Sequence, residues 1–218
     1  MNQVFGENSP LVIAVLKLTD IVFLTLMWLI CSIPLITIGI STTTFYEIAY
    51  KDLWHSRGRV MRDFVHALKR NAKQSFGFGA LMAVFFAILI YDIAQLRMAL
   101  AAEVSWGKLW WIPAVLLVLA IVYFLWVCAN IARFDAPLKQ ILKNAAALAV
   151  THFPVSIGAA VITAAAVVLI WLIPAALFIV PSFAMLLICM LTNAVFRLYM
   201  SDEEKALEDE RNHPQTDA

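Results

Sequence analysis

An all-α membrane bundle is the fold class this sequence predicts, and three observations carry the prediction. Of 218 residues, 63% are hydrophobic and only 14% charged, whereas soluble domains carry about 25% charged residues. Between Lys143 and Arg197, 53 consecutive residues lack any formal charge. One straight helix of that length would reach roughly 80 Å, against a hydrocarbon core about 30 Å thick. That block must cross twice and fold back, and Pro174 and Pro181 sit where the return is needed. The third observation is the placing of the charges, which gather between apolar runs.

Charge-free stretches set the expected elements in order. A first helix over about 18–40 follows from the uncharged run Ile21 to Tyr46, with Pro34 near its end. A second over about 74–95 follows from Gln74 to Tyr91, and a third over about 109–132 from Leu109 to Ala132. The long block supplies a fourth over about 154–173 and a fifth over about 175–199. Together they give one membrane domain, 1–200, with an acidic tail, 201–218, that has almost nothing to bury and reads as a frayed helix running into disorder. Four crossings with a re-entrant piece near Pro174 is the alternative count.

Basic residues accumulate on cytoplasmic loops. Five crossings place thirteen of the sixteen Lys and Arg on one side and leave Lys17, Arg97 and Lys108 on the other. The expected arrangement is a multi-pass protein with its N-terminus outside and its C-terminus cytoplasmic. Trp106, Trp110 and Trp111 fall at the outer interface. They read as an aromatic belt, or as a stacking platform for a sugar ring.

Two loops carry basic amphipathic helices. In the first, Met61, Phe64, Val65, Leu68 and Ala72 recur at helical spacing, while Arg62, Asp63, His66, Lys69, Arg70 and Lys73 take the other face. Arg57 and Arg59 flank Gly58 just before it. Lys139, Lys143 and Asn144 belong to the second, and Asn71 and Asn144 share a Lys/Asn/Ala context 73 residues apart. Such helices suit an anionic leaflet or a partner's surface, so Arg57, Arg59, Arg62, Phe64, Lys69, Arg70, Asn71, Lys73, Lys139, Lys143 and Asn144 form the candidate docking set.

The most distinctive polar stretch runs from Pro34 to Tyr46. Proline frees a carbonyl, and irregular backbone is costly against lipid, so this stretch belongs inside protein or beside water. Pro34, Thr37, Gly39, Thr43 and Tyr46 are its candidate cavity or groove residues. Asp20 and Asn193 join Thr37 and Thr43 as the lining expected if the chain forms a conduit. Cys31, Cys128 and Cys189 stand singly in apolar runs and read as buried thiols. There is no phosphate-binding loop, no HExxH, no GxSxG and no His–carboxylate cluster. No catalytic residue, cofactor, metal or nucleic-acid partner is expected, and enzymatic activity has no positive support.

The segment PLITIG at 34–39, with the hydroxyl residues after it, and RDFVHALKRNAKQS at 62–75 resemble the YesL-like family of bacterial membrane proteins. The likeness extends over most of residues 5–200, the later half matching mainly in layout. It implies a multi-helix cytoplasmic-membrane protein of unknown activity with no established catalytic residues. Family members are often encoded beside carbohydrate-uptake ABC transporters and glycan-degrading enzymes. The expected function is therefore an accessory to sugar uptake, partnered by the lipid bilayer and by ABC permease subunits. A small transporter or channel in its own right is the alternative.

Overall fold

The computed structural model describes residues 10–54, 60–134 and 136–212. The described residues form helices and connecting turns: α1 (Pro10–Ser32), α2 (Ile38–Ile48), α3 (Val60–Ala101), α4 (Trp111–Arg133), α5 (Leu138–Thr151), α6 (Phe153–Leu172), α7 (Val180–Tyr199) and α8 (Asp202–Asn212). Among them five segments are long and apolar enough to cross a membrane: within α1, in α3, Ser105–Arg133 ending in α4, α6 and α7. The chain is an all-α polytopic bundle.

The first departure from expectation comes at residue 33. A helix over 18–40 would run through Pro34, but α1 stops at Ser32, as the restricted backbone before a proline favours. A single 3₁₀ turn, Leu35–Thr37, reverses the chain. Thr37 Oγ1 lies 2.6 Å from the Cys31 carbonyl, an acceptor that the break leaves open, and 2.7 Å from that of Pro34, which also accepts the Thr37 N–H at 2.9 Å. α2 then returns along α1. Ser32 and Ser41 hydroxyls meet at 2.7 Å, Trp28 Nε1 donates to Thr42 Oγ1 at 3.2 Å, and the Trp28 and Phe45 rings stack at 5.2 Å. Those pairings are antiparallel. With the π-helical turn Ala49–Trp54 that continues it, α2 runs back about 25 Å.

The basic segment after it is also not a separate interfacial helix. It is the first part of α3, a 42-residue helix that would extend about 63 Å. Phe64, Ala67 and Asn71 are buried, while Arg62, His66, Lys69 and Lys73 face outward. Nothing breaks the helix at the basic-to-apolar boundary, because no Gly or Pro falls between Val60 and Gln74.

α4 returns along α3: Phe78 stacks on Phe124, and Phe86 meets Phe124 edge-on. At the far end Arg97 lies over the Trp110 ring at 5.3 Å. Gly107 is needed there, since a Cβ would fall within 2.8 Å of the backbone at Ala99 and Leu100. α5 packs through Ile141 and Ala145 and is divided from α6 at His152, ahead of Pro154. Trp126 Nε1 donates to Ser156 Oγ at 3.0 Å, tying α4 to α6. The α6–α7 return does use Pro174 and Pro181. α8 opens on a reciprocal cap, with Ser201 N–H on Glu204 Oε2 at 2.8 Å and Glu204 N–H on Ser201 Oγ at 3.2 Å.

Candidate functional site

α2 is the buried centre of the molecule: every residue from Gly39 to Ala49 is buried. Its sequence explains how α3 approaches so closely. Gly39, Thr43 and Glu47 recur every four residues and make one stripe. Facing them on α3, in reverse order, stand Gly79, Ser75 and Asn71. At the first rung the two backbones touch, and a Cβ on Gly39 would overlap Gly79 and fall 2.8 Å from the Ser75 carbonyl oxygen. At the second, Ser75 Oγ donates to Thr43 Oγ1 at 3.2 Å. At the third, Asn71 Nδ2 donates to Glu47 Oε2 at 2.9 Å. Small residues admit close approach, and polar side chains then join the helices.

Glu47 is the chemical centre of this seam. Its side chain is only 3% exposed, yet its other oxygen receives Lys51 Nζ at 2.6 Å and the Arg70 guanidinium. α2, with 11 residues, is not one of the five segments long enough to cross a membrane. Burial on its own pushes the carboxyl up. The hydrogen bond from Arg70, the charge and hydrogen bond of Lys51, and the Asn71 amide outweigh it and hold the group below the usual carboxylate range. The π-helical turn begins two residues later, widening the backbone beside this ion cluster.

The remaining polar groups of the core are also matched to one another. Tyr46 OH and Thr192 Oγ1 lie 2.6 Å apart, joining α2 to α7. Thr25 and Ser182 hydroxyls meet at 2.7 Å, and Ser182 also donates to the Ile21 carbonyl. Among the described residues, Thr44 Oγ1 is the one buried side-chain N or O atom without a partner.

A groove of about 620 Å³ opens at the surface between α4, α5, α7 and α8. Asn130, Arg133, Asn144, Thr151, Tyr199 and Glu204 are among its lining, interleaved with apolar residues. Arg133 fixes its floor: it donates to Asn193 Oδ1, reaches Met200 Sδ at 3.4 Å, and lies 5.2 Å from the Tyr50 and Phe196 rings. His152 Nε2 and Tyr199 OH are 2.9 Å apart at one edge.

The expected site residues therefore separate into several places. Gly39, Thr43 and Tyr46 come together, buried, in the α2 core, with Thr43 on Ser75 and Tyr46 on Thr192. Pro34 and Thr37 lie apart on the turn and share the lining of one concavity with Lys69. Of the expected conduit lining, Thr37 sits at the turn, Thr43 in the seam, Asn193 on Arg133, and Asp20 half-buried on α1. Of the docking set, Arg57 and Arg59 fall outside the described residues. Arg62, Lys69, Lys73, Lys139 and Lys143 are exposed, and Asn144 lines the groove. Phe64 is core, and Arg70 and Asn71 turn onto Glu47.

Glu47, Ser75 and Arg133 are the residues that sequence reasoning missed. The matched four-residue spacings, 39/43/47 and 71/75/79, were the available signal for the first two. Arg133 carried no such pattern. Among the described residues no group of three or more His, Cys, Asp or Glu is placed to hold a metal ion.

Residues 21–93 match the model of a family described as a protein of unknown function, DUF624. The matched segment contains all three rungs of the α2–α3 seam. No curated protein and no solved structure matches the chain.

Proposed function

We propose that this chain is a YesL-like accessory membrane protein that binds a partner of carbohydrate uptake, an ABC permease subunit being the chosen candidate, through the groove between α4, α5, α7 and α8. One observation carries the preference for docking over conduction: Thr44 apart, the buried polar side chains of α2 are bonded to groups within the protein, on α1, α3 and α7 among others. A conduit needs polar groups left for a solute or its water, and here the seam closes on itself. The groove, by contrast, is open and presents Asn144, Thr151 and Tyr199 beside apolar walls, a mixture suited to a protein surface. The link to sugar uptake rests on the resemblance of the 34–39 and 62–75 motifs, and the uncharacterised family matched over 21–93 is compatible with it. The chain acts without catalysis in this reading.

We also propose that both termini face the cytoplasm. α2 is antiparallel to α1 and to α3, so the starts of α1 and α3 share one end of the bundle. The basic half of α3 marks that end as cytoplasmic by charge, and Lys17 then joins the basic side. This replaces the sequence-based expectation of an outside N-terminus.

Purification in mild detergent from cells that also express a sugar ABC permease tests the docking reading. Recovery of the permease subunit with the wild-type chain, and its loss on Asn144→Arg, is the expected result. Repeated recovery of the chain alone would count against docking. Sugar flux in liposomes containing only this chain would favour the conduit instead.

A further inference from the structure

A second concavity, of about 370 Å³, lies where the α1–α2 turn leans on α3. Ile30, Cys31, Pro34 and Ile40 wall it from the hairpin, and Leu68 and Ala72 from α3. Lys69 lies on the same wall and is exposed. The surroundings are polarised along α3. Arg62, His66, Lys69 and Lys73, at spacings of four, three and four, form one exposed stripe on the side preceding Gln74. Beyond Gln74 no charge appears until Asp92, and the turn beside the groove exposes Ile33, Leu35 and Ile36 at 77%, 66% and 53%.

From this arrangement we infer that the groove holds an acyl chain of one anionic phospholipid, whose headgroup meets Lys69 and Lys73. The site is basic at one end and apolar along its length, as a phospholipid requires. A free phosphate would leave the apolar wall uncovered. A zwitterionic lipid would bring its own ammonium against the lysines, while an anionic headgroup gains at each basic residue near the surface. The lipid also fills the join between hairpin and α3. The site is distinct from the partner groove, and its test does not depend on that reading.

Native mass spectrometry of the full chain in mild detergent tests this, with phosphatidylglycerol and phosphatidylcholine of identical acyl chains as probes. One phosphatidylglycerol is expected to stay bound under activation that strips phosphatidylcholine. Lys69→Glu should weaken its retention about five- to tenfold. Ala72→Trp, which fills the groove without altering charge, should displace it, and Lys108→Glu at the far end of α3 should leave it unchanged. Equal retention of the two lipids overturns the site. So does full retention by an Ala72→Trp chain that melts as the wild type does, or equal loss with Lys108→Glu, since binding would then follow net charge alone. Should Ala72→Trp misfold, Lys69→Glu decides: unaltered retention overturns the inference.

Discussion

At Glu47, one buried carboxylate gathers donors from Arg70, Lys51 and Asn71, so its removal strands groups from two segments at once. Glu47→Ala leaves the buried Asn71 amide without its acceptor and should cost about 2–3 kcal/mol, measured by unfolding in detergent. Glu47→Gln keeps an acceptor for Asn71 and should lose less. The carboxyl is held below its ordinary range, so the stability it contributes is complete above that range and is lost as pH falls through its folded-state value. The melting temperature should therefore drop on acidification, below the usual titration range of glutamate. In Glu47→Gln that part of the fall should be missing. An acid limb identical in the two proteins would show that Glu47 does not govern it.

The α2–α3 seam is an element-scale device, and its glycines divide sharply. At Gly39 a methyl group meets the backbone of α3, which cannot rotate out of the way as a side chain can. Gly39→Ala should destabilise the bundle by about 1–3 kcal/mol. Gly77, two residues from Gly79 on the same helix, points outward, and a methyl group placed there would meet nothing within 4 Å. Gly77→Ala should instead stabilise by about 0.5–1 kcal/mol through helix propensity. Equal effects at the two positions, read from thermal melting in one detergent, would contradict the seam. Apolar stretches are legible in the sequence because they depend on local composition: charge spacing alone locates the Pro174–Pro181 return and the apolar half of α3. The reversal at Pro34 is not legible in that way, since a proline near a helix end permits a kink or a turn. The partner that decides between them is α3, which lies far along the chain. Glu47 is hidden for a similar reason. It closes the uncharged run that begins at Ile21 and reads as an interfacial charge until Arg70 and Asn71 are folded against it.

At the scale of the whole molecule, the out-and-back path of α1 and α2 sets which surfaces share a side. An epitope at the N-terminus should be protected from protease in intact spheroplasts and cleaved in inverted vesicles, as a C-terminal one should. Cleavage of the N-terminal epitope alone in spheroplasts would restore the outside N-terminus. In the proposed orientation α5, α8 and the basic start of α3 frame one face, and the groove at Asn144 opens on it. The most direct measurement is in-cell photo-crosslinking from a reactive amino acid at Asn144, in cells expressing a sugar ABC permease. A covalent adduct with the permease subunit is expected, diminished by Thr151→Arg in the same groove. Absence of that adduct, together with sugar flux by the purified chain alone in liposomes, would contradict it.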